Sequence, residues 1–209
     1  MAPSPSPEIV PVDDHDLLVD LADEAIAAAL NRQPPPPPRL DTLPAALRRA
    51  HGAFVSLHVN GELNGCIGAL DAAEPVGQAV PRLALSAAFA DPRLPPLRAA
   101  QYGRLHIEVS VLSATIPVPA DDRRELVGQL RPGIDGLVLR SGHRQGLFLP
   151  VVWQQLPAPE DFVHHLLAKA GLHPVGWPAD LQAERFTAQI RGRPAGRGGT
   201  SLHDAKRVG

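Results

Sequence analysis

The stretch Ala53-Phe54-Val55-Ser56-Leu57-His58-Val59-Asn60-Gly61-Glu62-Leu63-Asn64-Gly65-Cys66-Ile67-Gly68 decides the fold. Apolar and polar residues alternate, imperfectly, from Ala53 to Val59, close to the two-residue period of a half-buried strand. Asn60-Gly61 follows at once. Both residues tolerate positive φ, which makes the pair the strongest short-range signal for a two-residue hairpin turn. The residues after it form the returning strand. In a regular two-residue hairpin Val55 lies opposite Cys66 and Leu57 opposite Asn64, so the thiol shares a face with aliphatic side chains unless a bulge at Gly65 turns it.

Upstream, Leu18, Leu21, Ala22, Ala25, Ile26 and Ala29 recur at three- and four-residue steps and predict a helix. Asp13, Asp14 and Asp16 suit its N-terminus, and the run Pro34 to Pro38 halts it. That run reads as an extended spacer between two core-forming elements, with a proline-rich ligand as the other reading. Downstream, Val76, Ala79, Val80, Leu83 and Ala87 mark a second helix, ending before the rigid loop Asp91-Pro92-Arg93-Leu94-Pro95-Pro96. From Arg104 to Leu112 the alternation is clean, with Leu105, Ile107, Val109 and Val111 on one face and His106, Glu108 and Ser110 on the other. A short helix around Leu126, Val127 and Leu130 precedes two strands, Gly136 to Arg140 and Gly146 to Pro150. A last helix from Pro159 buries Phe162, Leu166 and Leu167 and stops at Gly171, and Arg185 to Ile190 supplies a closing strand. The pattern is that of an α+β fold with a largely antiparallel sheet flanked by helices. Its expected organisation is a loose segment 1–12, a domain 13–190 with a proline-rich connector 34–38, and a disordered basic tail 191–209.

With 209 residues and 44% hydrophobic content, the chain has ample material for a core. A single cysteine rules out an internal disulfide, and no charged-then-apolar leader opens the sequence, so a reducing cytoplasm is the expected compartment. No apolar run approaches the ~20 residues of a membrane span. A formal net charge of -2 gives no global attraction to phosphate backbones. Only the basic tail offers a nucleic-acid contact, and a solvated end is its simpler reading.

Candidate chemistry centres on Cys66, which reads either as a small buried apolar side chain or as a nucleophile whose oxyanion the Gly65 and Gly68 amides would stabilise. Gly61, Gly65 and Gly68 are expected to leave space beside the thiol. Glu108 shares a strand face with His106 and Ser110, a spacing that presents acid, base and hydroxyl to one pocket or else to solvent. Arg93, held by flanking prolines, is a candidate grip for an anion, and His143 sits at a predicted hairpin tip. His164, His165 and His173 match no standard metal-ligand spacing, so no metal site and no cofactor is expected. Trp153 and Trp177 read as packing anchors.

Five blocks stand in order: Gly61 to Gly68, Asp91 to Leu97, Ile107 to Leu112, Arg131 to Leu137, and Gly146 to Pro150 continuing through Trp153, Phe162 and Lys169 to Leu172. Together they resemble the AMMECR domain family, whose bacterial members are called AmmeMemoRadiSam system protein A. The resemblance implies an α+β domain with a larger and a smaller lobe and an exposed groove near the cysteine motif. It favours Glu108 and Ser110 over His106 and adds Asn64, Gly65 and Gly68 to the groove around Cys66. It also implies two partners, a radical S-adenosylmethionine (SAM) protein and a Memo-like protein. With one cysteine this chain cannot supply the three thiolates of a radical iron–sulfur cluster, which therefore belongs to the partner. The family usually carries Arg where this chain has Asn64, and Asn brings neither charge nor a bidentate fork. A relative often has Gln at the place of Val151.

Overall fold

The computed structural model describes residues 9–174 and 176–196. The elements in chain order are α1 (Val12–Leu30), β1 (Ala53–Val59), β2 (Glu62–Ala69), α2 (Val76–Phe89), β3 (Leu105–Leu112), β4 (Ile116–Pro117), α3 (Arg123–Gln129), β5 (Gly136–Ser141), β6 (Arg144–Phe148), α4 (Pro159–Lys169), β7 (Gln182–Phe186) and β8 (Ala188–Pro194). They divide into two compact units, one of residues 10–111 with the strand after residue 188, the other of residues 112–188. Each holds a four-stranded sheet, β2-β1-β3-β8 in the first and β4-β7-β5-β6 in the second.

In the first unit the turn forms as the sequence demands. Asn60 and Gly61 take φ of 54° and 85°, the pair of positive values that a type I′ turn requires. The odd-numbered β1 residues Val55 and Leu57 are buried with Ile107 and Val109 of β3, and α2 packs on β1 and β2. α1 lies along α2 and buries Leu18, Val19, Ala22, Ala25 and Ile26. Each fully buried aliphatic side chain contributes about 1.5–3 kcal/mol. In the second unit, α3 and α4 cover a core of Leu126, Leu137, Leu139, Phe162, Leu166 and Leu167. Trp153 stacks on Phe162 with ring centres 3.8 Å apart, and its indole N–H donates to the Asp135 carbonyl at 2.7 Å. Trp153 is a packing anchor, as expected.

The closing strand and the domain ends differ from expectation. The span Arg185 to Ile190 is not one strand: β7 ends at Phe186, β8 begins at Ala188, and the two belong to different sheets. Between them Thr187 N–H donates to Ser113 Oγ at 3.0 Å. The boundary placed at Ile190 moves as well, because β8 runs through Pro194. Arg193 pairs with Asp20 of α1, and Gly196 N–H donates to the buried Asp23 carboxylate, which also takes the Tyr102 hydroxyl at 2.6 Å. Arg191 and Arg193 therefore belong to the fold, both as residues of β8 and Arg193 also through its pairing with Asp20. At the other end Val10 is fully buried, its backbone N–H and C=O both bonded to the Gln189 amide. The remaining tail residues, 197–209, and residues 1–8 lie outside the described residues.

One buried group carries a pH prediction. His15 of α1 is 0% exposed and its Nε2 donates to the Val109 carbonyl at 3.0 Å, leaving Nδ1 without a partner. A second ring proton would be buried without an acceptor, and burial, reinforced by the charge of Arg191, pushes the His15 pKa below its ordinary value against the opposing pulls of Val109 and Asp16. With a lowered folded-state pKa, the stabilisation from neutral His15 is complete above about pH 6.5 and is lost as pH falls below that value. His15→Gln keeps a donor toward Val109 without titrating, so its urea midpoint should fall less than that of the native chain between pH 7.5 and 5.5. Parallel midpoints would show that His15 is not the titrating group.

Candidate functional site

Register along the β1–β2 hairpin places the thiol. Val59 faces Glu62 and His58 faces Leu63, as in a regular hairpin, but Leu57 then faces Gly65 and Ser56 faces Cys66. Asn64 is the extra residue of a β-bulge. A one-residue slip moves every later side chain to the opposite face, so Cys66 lies beside Ser56 and not beside Val55. The bulged register thus replaces the regular one and its aliphatic surroundings for the thiol, which is half-buried. The Ser56 hydroxyl donates to Cys66 Sγ at 3.3 Å.

Because Ser56 also faces Glu108 across β1 and β3, Cys66, Ser56 and Glu108 form one row across three strands. Spacing between adjacent strands puts the outer two about 10 Å apart. The neighbouring rows are Gly68, Phe54 and Ser110 on one side and Leu63, His58 and His106 on the other. Ser56, His58, His106 and Glu108 are half-buried, and Ser110 is 2% exposed. The structure thus gathers Cys66, Glu108, Ser110 and His106 on one sheet face, opposite the face that buries Val55 and Leu57.

The outer edge of β2 is closed by the loop after α2. Asp91 Oδ2 accepts from the Cys66 N–H at 2.9 Å, and Arg93 Nη2 donates to the Cys66 carbonyl at 2.7 Å. The two side chains hold each other through Arg93 Nε to Oδ1 at 2.9 Å and Nη2 to Oδ2 at 2.7 Å, with the Arg93 N–H on Oδ1. Asp91 and Arg93 therefore pair with the Cys66 peptide groups as a neighbouring strand would, blunting an exposed edge. The Arg93 guanidinium, with two backbone N–H donors, holds the Asp91 carboxyl well below the usual carboxylate range despite burial. Asn64 is buried and donates from Nδ2 to the Pro95 carbonyl at 3.0 Å, tying the bulge to the same loop.

The glycines serve packing more than access. A Cβ on Gly65 would lie 1.9 Å from the Ala87 carbonyl oxygen of α2, and one on Gly68 would meet the Phe54 ring and the Ala53 carbonyl. The open space expected beside the thiol is filled at both. His143 lies in the second unit at the exposed β5–β6 turn, where Asp180 accepts from Ser141 Oγ and Gly142 N–H. Ser56 beside the thiol and the Asp91 clamp are features of the site that the sequence does not announce. Ser56 was visible as a polar residue in an alternating strand, but its place beside Cys66 depends on the bulge. Among the described residues no three His, Cys, Asp or Glu side chains converge to hold a metal ion, and no helix is long and apolar enough to cross a membrane.

Fold and site together define a two-sheet α+β domain built around a bulged, cysteine-bearing hairpin. The chain belongs to the AMMECR1 family, whose model matches residues 19–191. A protein from Thermofilum pendens is 36% identical over 83% of this chain and 87% of its own length. One from Methanothermobacter thermautotrophicus is 35% identical over 72% of this chain and 79% of its own. The crystal structure of the uncharacterized protein PH0010 from Pyrococcus horikoshii superposes with a TM-score of 0.82 at 31% identity, covering 91% of this chain and 97% of that one.

Proposed function

We propose that this chain is the AMMECR component of an AmmeMemoRadiSam-type system in a reducing cytoplasm, working with a radical SAM protein and a Memo-like protein. It holds a small or protein-linked intermediate on the sheet face that carries Cys66, Ser56 and Glu108. The supporting observation is the row itself, in which a hydroxyl bonded to the thiol separates it from a carboxylate. Cys66 captures the intermediate, Ser56 orients the sulfur, and Glu108 contacts a part of the ligand about 10 Å away. That separation excludes direct proton exchange between Glu108 and Cys66, and it favours the second reading, a non-catalytic adaptor that docks its partners on the same face, where Leu63 is 46% exposed.

Co-purification with the two partner proteins, followed by mass spectrometry of Cys66, tests the first reading. An adduct on Cys66 that disappears in Cys66→Ser supports capture; normal system activity of Cys66→Ser together with Glu108→Gln removes it and leaves the adaptor. Alkylation of the purified chain checks the local geometry. Loss of one hydrogen bond to sulfur, about 1 kcal/mol, predicts that Ser56→Ala changes the Cys66 alkylation rate about five-fold. Glu108→Gln should leave that rate unchanged.

A further inference from the structure

α1 and the proline run flank a half-open pocket of about 710 Å³, within the size range of small-molecule sites. Ala27 and Ala28 leave the room on the helix side, Pro34 and Pro36 to Pro38 form the facing wall, and Leu21 and Leu43 add apolar surface. The polar groups around this space include several acceptors beside the Gln33 amide and the Arg39 guanidinium. The cavity sits over the last turn of a 19-residue helix that has no basic residue there, which is the negative end of the helix dipole. Glu24, exposed, brings a carboxylate. Five consecutive prolines offer carbonyls and no N–H donor. Asn31 directs one Nδ2 proton at the Ala27 carbonyl and Thr42 its hydroxyl proton at the Arg39 carbonyl, which leaves Asn31 Oδ1 and the Thr42 oxygen able to accept. Arg39, the cation in the lining, is paired with Asp41 at 3.0 Å, and Arg32 lies outside the lining.

We propose that this cavity binds a small organic cation, an amine or quaternary ammonium carried on an apolar body. The apolar body fills the space between Ala27, Ala28 and the prolines, and the charge rests near Glu24 and the end of α1. Isothermal titration of the full chain with decyltrimethylammonium and with decyl sulfate, both below their micellar concentrations, separates charge from tail. The cation should bind at one site and the sulfate about ten-fold more weakly. Ala28→Trp should abolish cation binding, and Glu24→Lys, at an exposed position with circular dichroism unchanged, should weaken it about five-fold. Equal affinity for the two probes overturns the proposal, as does cation binding indifferent to Glu24→Lys. If Ala28→Trp fails to fold, Glu24→Lys and the probe comparison decide.

Discussion

Asp91→Ala should lower the stability of the first unit by about 2–4 kcal/mol and strip hydrogen-exchange protection from the Cys66 amide. The Asp91 side chain is 1% exposed, whereas that of Arg93 is 62% exposed, so solvent screens the ion pair and limits its own share to about 1 kcal/mol. The larger part comes from the backbone. Without the carboxylate, the Cys66 and Arg93 N–H groups lose their acceptor and the Arg93 guanidinium loses the partner that aims it at the Cys66 carbonyl. Asp91→Asn keeps an acceptor oxygen and should fall between the two. Because the Asp91 pKa is depressed in the folded chain, its contribution is complete above about pH 3.9 and is lost as pH falls below that value. The gap between the native chain and Asp91→Asn should therefore be widest at neutral pH and close in acid. An unchanged urea midpoint with a protected Cys66 amide would sink the clamp as a structural device.

What was legible in the sequence is what neighbouring residues decide. Asn60-Gly61 specifies its turn by conformational tolerance alone, and the alternation of β3 needs no distant partner. A bulge near Gly65 is open in the sequence as an alternative register, but whether it forms is not legible there, because Asn64 is held by the Pro95 carbonyl 31 residues away. That one undecided bulge sets the face of Cys66 and its place beside Ser56. The same limit applies to the glycines. Sequence reads a glycine as space, but whether that space is open depends on what packs against it, here a helix carbonyl at Gly65 and an aromatic ring at Gly68. Arg93 is a further case. Its neighbourhood in the sequence showed a rigid cation, and only the fold shows two of its nitrogens bound to Asp91 and Cys66. The split at Thr187 depends likewise on Ser113, 74 residues earlier.

Gly65→Ala should be more damaging than its single methyl group suggests, costing about 3 kcal/mol or more. The added carbon would lie 1.9 Å from the Ala87 oxygen and 2.8 Å from its carbonyl carbon. Both atoms are backbone, in the last turn of α2, so no rotamer change relieves the contact. Either β2 lifts off α2 or the helix shifts, and each opens the core beneath Val55 and Leu57. Gly103→Ala is the control, since nothing lies within 4 Å of its added carbon and its backbone carries no positive φ. It should leave stability unchanged or raise it by about 0.4–1 kcal/mol through a stiffer unfolded chain. Urea unfolding of the two variants, alongside Cys66 adduct formation, distinguishes packing from recognition at Gly65. A destabilised Gly65→Ala that still captures ligand under folding conditions assigns this glycine to the strand–helix interface. Undiminished stability with capture lost would return it to the ligand groove and show that α2 can yield at Ala87.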